Sequence, residues 1–163
     1  MVVKITKQSI YNLIKTYSLI INRLYDIYPV ELKPLKYSFD FSVSKYEQII
    51  EDGNTPLYKL QNGLLQGLCE IPLILKNLFT KKEFEVALAT YNEEISNNET
   101  KEIVENFFYK NFLRIIKKNR IRNEEDFWIA QLMLDLSSKN SNFLNKSDIQ
   151  KLIYLIDDFS SKL

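Results

Sequence analysis

Apolar residues at Leu13, Ile14, Tyr17, Ile20, Ile21, Leu24 and Ile27 recur at spacings of three and four. That period places them on one face of an α-helix, expected from about Gln8 to Tyr28, where Pro29 stops it. A chain that opens on so long an amphipathic helix must bury that face against other elements, and the rest of the sequence supplies mostly helices. With 163 residues, 45% of them apolar and 26% charged, one globular domain spanning residues 1–163 can bury a core without disulfides or metal.

One stretch departs from the helical period. Leu35-Lys36-Tyr37-Ser38-Phe39-Asp40-Phe41-Ser42-Val43 alternates apolar and polar residues without a miss, which is the period of a strand with one buried face. A lone strand needs a partner for its backbone groups, and Val2 to Ile5 is the only internal candidate. Otherwise the segment lies extended across the helices.

The remaining helices are marked by their ends. Ser44 to Asp52, with Tyr46, Ile49 and Ile50, reads as a short helix closed by Gly53, a residue free to take positive φ. Thr55-Pro56 opens the next, whose buried side is Leu57, Leu60, Leu64, Leu68 and Ile71; Pro72 is expected to bend or break it before a shorter helix through Ile74, Leu75 and Leu78. Capping boxes at Thr80/Glu83, Ser96/Glu99 and Ser147/Gln150, and Asn123 ahead of Glu124-Glu125-Asp126, start helices expected at about 81–95, 98–118, 124–137 and 148–161. The helix with Ile103, Val104, Phe107, Phe108, Tyr109, Phe112, Leu113, Ile115 and Ile116 is apolar almost all round, as a central helix is. The one with Phe127, Trp128, Ile129, Leu132, Met133, Leu134 and Leu136 keeps a polar stripe through Glu124, Gln131 and Asp135. The expected fold is therefore all-α, an irregular bundle of about seven helices with one extended segment near residues 35–43.

Composition removes much chemistry. The chain has no histidine, the side chain that titrates nearest neutrality and serves most metal sites and catalytic triads. Its one cysteine, Cys69, lies in an apolar helix and reads as a small buried hydrophobe rather than a nucleophile. Glycine occurs only at 53, 63 and 67, so no nucleotide-binding loop is present. The carboxylate pairs Glu93-Glu94 and Asp157-Asp158 are adjacent on helices and point about 100° apart, which suits solvation better than convergence on a substrate. No enzyme, cofactor or metal is expected. Gly63 and Gly67 share one helix face where each costs about 1 kcal/mol against alanine, so a closely approaching helix backbone or a binding groove should offset them.

Net charge is +1, too small for general attraction to nucleic acid or membrane, but the charges are segregated. From Glu83 to Glu105 there are seven glutamates and one lysine, and from Asn106 to Arg122 six cations and no acid. The acidic block, with Glu93, Glu94, Glu99 and Glu102, is the candidate surface for a basic protein partner. The alternative is a nucleic-acid-binding regulator using Arg114, Lys117, Lys118, Arg120 and Arg122. Against that alternative stands a plainer role, cations at one helix C-terminus facing acids at the next N-terminus.

The N-terminal segment meets Lys7, Asn12 and Lys15 too soon for a secretory core, and no apolar run spans a bilayer, so a cytoplasmic protein is expected. Lysine outnumbers arginine by 18 to 4 and asparagine reaches 15 against 3 alanines, the mark of an AT-rich coding sequence. In composition and class the whole chain resembles the all-helical immunity proteins of bacterial contact-dependent and polymorphic toxin systems. That resemblance implies a small cytoplasmic protein that binds and neutralises a cognate toxin domain without catalysis, and the acidic block suits a basic one, a nuclease for example.

Overall fold

The structure is a computed structural model that describes residues 4–97, 100–139 and 144–163. Among these residues it is all-α, with seven helices: α1 (Lys7–Ile27), α2 (Lys33–Asp52), α3 (Leu57–Leu78), α4 (Lys81–Asn97), α5 (Lys101–Lys118), α6 (Glu124–Lys139) and α7 (Lys146–Ser160). The chain divides into two compact units, Met1–Ile103 and Val104–Leu163.

In the first unit α1 packs against α2, α3 and α4, and α3 also packs against α4. Most of the face of α1 read from its spacing is buried: Leu13, Ile14, Ile20, Ile21 and Leu24 are in the core, joined by Ile10, while Tyr17 is only partly buried and Ile27, in the last turn, is 44% exposed. The helix opens on a capping box, in which the Ser9 amide donates to Thr6 Oγ1 at 3.1 Å and the Thr6 amide donates to Ser9 Oγ at 2.9 Å.

The expected extended segment at 35–43 is instead the first half of α2, continuous with the expected short helix at 44–52. The alternation conceals a second pattern. Leu35, Phe39, Val43, Tyr46 and Ile50 follow one another at three or four residues and make a helical face, from which Phe39 and Ile50 are buried. Tyr37 and Phe41, which completed the period of two, lie on the other side and are 65% and 64% exposed. Lys33 and Lys45 stand over those two rings, 5.9 and 4.4 Å from the centroids. A helix also satisfies its own backbone groups, so no partner strand is needed. Pro34 in the first turn, the Lys36–Asp40 pair at 2.7 Å one turn later, and Gly53 at φ 68 closing the end complete the element.

Pro72 does not break its helix either: α3 runs through it to Leu78. Proline removes the N–H that would bond the carbonyl four residues back, here Leu68. The buried Tyr91 hydroxyl of α4 donates to that carbonyl at 2.6 Å, filling the gap from another helix. At the start of α4, Glu83 accepts from both the amide and the hydroxyl of Thr80, at 3.0 and 2.8 Å, so Thr80 does start a helix. These bonds hold the Glu83 carboxyl below its ordinary range. Ser96, by contrast, is no N-cap: it lies in the last turn of α4, its hydroxyl donating to the Asn92 carbonyl at 2.8 Å. Its expected partner Glu99 is outside the described residues.

In the second unit α6 packs against α7. The all-round apolar pattern of α5 does not make it a fully enclosed helix. It buries one face, Val104, Phe108, Phe112 and Ile115, and leaves Tyr109 and Leu113 36% and 43% exposed. The more enclosed helix is α6, where Phe127, Trp128, Ile129, Ala130, Leu132, Met133 and Leu136 are all buried. Phe127 meets Trp128 edge-on at 5.1 Å and Phe159 of α7 at 5.5 Å. Asn123 caps α6 as expected, accepting from the Asp126 amide at 2.9 Å. For α7 the cap is Asn145, accepting from the Asp148 amide at 2.7 Å, so Ser147 lies inside the helix it was expected to start.

Candidate functional sites

Two of the four acidic residues singled out in the sequence converge. Glu93 and Glu94 take the two nitrogens of one guanidinium, with Arg23 Nη2 2.8 Å from Glu93 Oε2 and Nη1 2.6 Å from Glu94 Oε1. Two carboxylates held by one cation keep a local charge of −1 while their rotamers are fixed. Glu93 remains 52% exposed and Glu94 21%, so the cluster stands at the surface with Glu93 as its open side. The carboxylates also hold the Arg23 guanidinium more firmly protonated, the hydrogen bond it donates to Glu94 contributing most. Glu102 is exposed in the first turn of α5, and Glu99 lies outside the described residues.

The basic segment is divided in its use. Asp126, with 3% of its side chain exposed, accepts from Arg114 Nη2 at 2.7 Å and from Arg122 Nε at 3.1 Å. The Arg122 amide donates to the same carboxylate at 3.3 Å. Asp126 therefore does more than complement a helix dipole: it ties the last turns of α5 and the loop after it to the first turn of α6. Lys117, Lys118 and Arg120 are exposed and make no ion pair with the described residues. The end of α5 is closed by Asn119 at φ 52 and by Lys151 of α7, whose Nζ donates to the Ile116 carbonyl at 2.9 Å.

A third place was marked in the sequence only by its two glycines. A pocket of about 170 Å³ lies within the first unit between α1, α2 and α3, and Gly63 and Gly67 form part of its α3 wall. The glycines face tyrosine side chains rather than a helix backbone. A Cβ at Gly63 would come within 2.9 Å of the Tyr46 hydroxyl, and one at Gly67 within 3.1 Å of the Tyr17 ring. Tyr17 stacks on Phe39 with centroids 4.6 Å apart and planes 9° from parallel, so its ring has little room to yield. The sequence signal for the pocket was the pair of glycines; Tyr17 and Tyr46 belong to other helices, and nothing in one dimension joins them to it.

Burial, reinforced by the nearby charge of Glu70, pushes the Tyr17 hydroxyl up to about 12. A raised phenol favours the folded state while protonated, so its contribution is complete below pH of about 10 and disappears as pH rises through 12. Alkaline unfolding followed by phenolate absorbance is expected to show Tyr17 ionising only as the first unit opens. In Tyr17→Phe that part of the pH dependence should vanish, leaving the contributions of Tyr91 and Tyr46, which burial also raises, and of Tyr11, raised by its hydrogen bond to Glu51.

Cys69 is buried, as expected from its place on the apolar face of α3. Among the described residues no group of three or more cysteine or carboxylate side chains could hold a metal ion, and no helix is long and apolar enough to cross a membrane. Comparison with protein-family models, with curated proteins and with solved structures finds no match to this chain.

Proposed function

We propose that this chain is a non-catalytic protein-binding domain that neutralises a basic partner, as the immunity proteins of bacterial toxin systems do. The observation that carries the reading is the Arg23–Glu93–Glu94 cluster, an exposed acidic group whose geometry is set before any partner arrives. Carboxylates already held in place lose less conformational freedom on binding, and an acidic rim steers a basic partner toward them. The alternative, nucleic-acid binding through residues 114–122, is left with three of its five cations, because Arg114 and Arg122 are engaged by Asp126.

The test starts from the gene beside this one. Its product, expressed and purified, is expected to bind this chain with an association rate that falls steeply with salt. Glu93→Lys together with Glu94→Lys and Glu102→Lys should slow association by about tenfold or more at low ionic strength, with the helical circular dichroism unchanged. Association at the same rate and salt dependence would remove the acidic face from the interface.

A further inference from the structure

The pocket between α1, α2 and α3 combines an aromatic wall with two tyrosine hydroxyl groups. Tyr17 and Phe39 form the wall as a parallel stack, and Ile14, Leu35, Val43 and Leu64 complete an apolar interior. The Tyr17 and Tyr46 hydroxyls stand opposite glycines four residues apart, about 6 Å along the α3 axis. The Tyr17 and Tyr46 hydroxyls both line the pocket, whereas the equally phenolic Tyr91, fully buried in the same unit, gives its proton to a carbonyl of α3. A hydroxyl that water reaches in a partly enclosed space can give its proton to a guest's acceptor in exchange for that water.

We propose that this pocket binds a small neutral aromatic molecule of one ring carrying a hydrogen-bond acceptor, its ring against the Tyr17–Phe39 wall and its acceptor at the tyrosine hydroxyls. Size sets the one-ring limit: a cavity of about 150 Å³ lined by aliphatic and aromatic side chains takes up benzene, and this pocket, at about 170 Å³, adds room for one or two further atoms. Chemistry sets neutrality, because among the described residues lining the pocket none is charged. The field of Glu70 at Tyr17 further disfavours an anion. Both hydroxyls stay protonated at neutral pH, since burial raises Tyr17 and Tyr46, so each is available as a donor. The glycines keep α3 from filling the space in which those hydroxyls stand. None of Arg23, Glu93 or Glu94 lines the pocket, so this inference and the protein-binding reading fail separately.

The experiment is a nuclear magnetic resonance titration of the full chain with acetophenone, with toluene, benzoate and benzylammonium as comparison probes. Acetophenone is expected to give saturable shifts at Gly63, Gly67, Phe39 and Val43 at a Kd below about 1 mM, with no comparable shifts in α6 and α7. Toluene should bind more weakly and the two ions should not saturate. Tyr46→Phe should weaken acetophenone by about 3- to 10-fold, the range of one neutral hydrogen bond, and leave toluene unchanged. Tyr17→Phe should act in the same way. Because Tyr17 also packs on Gly67 and Phe39, the half-buried Tyr46 carries the test if the Tyr17 variant does not fold. Ser42→Leu, which puts an aliphatic group into the pocket from α2, should abolish binding of both neutral probes while the spectrum stays that of the folded chain. No saturable shift with acetophenone at millimolar concentration would overturn the proposal. So would tighter binding of either ion, or equal losses for toluene and acetophenone in Tyr46→Phe, or undiminished binding in Ser42→Leu.

Discussion

Tyr91→Phe is expected to destabilise the protein by about 1 to 3 kcal/mol, a large effect for the loss of one oxygen atom. The hydroxyl is fully buried and donates at 2.6 Å to the Leu68 carbonyl, the group that Pro72 leaves without its helical donor. Phenylalanine fills the same volume and leaves that carbonyl buried and unpaired, so the cost is that of desolvation rather than of a cavity. A mutant cycle isolates the cause. In a Pro72→Ala background the amide of residue 72 can bond Leu68 directly, and the same tyrosine substitution should then cost at least about 1 kcal/mol less. Equal costs in the two backgrounds, measured by urea unfolding, would show that Tyr91 does not serve the proline gap.

That bond also marks the limit of what one dimension reveals about this fold. Helix faces set by near neighbours were legible: the core side of α1 follows from spacing alone, and Gly53, Thr80 and Asn123 mark ends because capping is a contact within a few residues. What failed was decided by groups far apart in the chain. Pro72 reads as a break until the Tyr91 hydroxyl arrives from α4. Residues 35–43 read as a strand because Tyr37 and Phe41 are exposed aromatics, and a pattern counts an exposed ring as a buried one. In the candidate sites, the acidic block was visible as charge, but the cation between Glu93 and Glu94 belongs to α1. The glycines marked a place where side chains were unwelcome, without identifying Tyr17 and Tyr46 as what approaches them.

Asp126 is the position at which stability and the choice between functional readings meet. Its side chain is 3% exposed and binds two guanidinium groups and an amide, so Asp126→Asn leaves both arginines without a counter-charge and turns an amide NH2 toward one of them. Breaking a buried ion pair costs about 3 to 5 kcal/mol, but Arg114 and Arg122 are 39% and 33% exposed and regain water once released. The expected loss is therefore about 2 to 3 kcal/mol after that screening. It should shrink when Arg114→Met is already present, because one of the stranded charges is then gone. The same variant frees the two cations that the acidic side chain holds back from residues 114–122. If the segment serves only to close α5 and open α6, Asp126→Asn loses stability and gains no affinity for duplex DNA or RNA at physiological salt. If it is a masked phosphate-binding surface, micromolar binding should appear in the variant and its salt dependence should steepen as the released arginines join Lys117, Lys118 and Arg120. A shift assay on the folded variant, read beside its urea midpoint, separates these outcomes. The choice rests on that one carboxylate, because all three contacts of its oxygens are made by Arg114 and Arg122, the residues it would have to release.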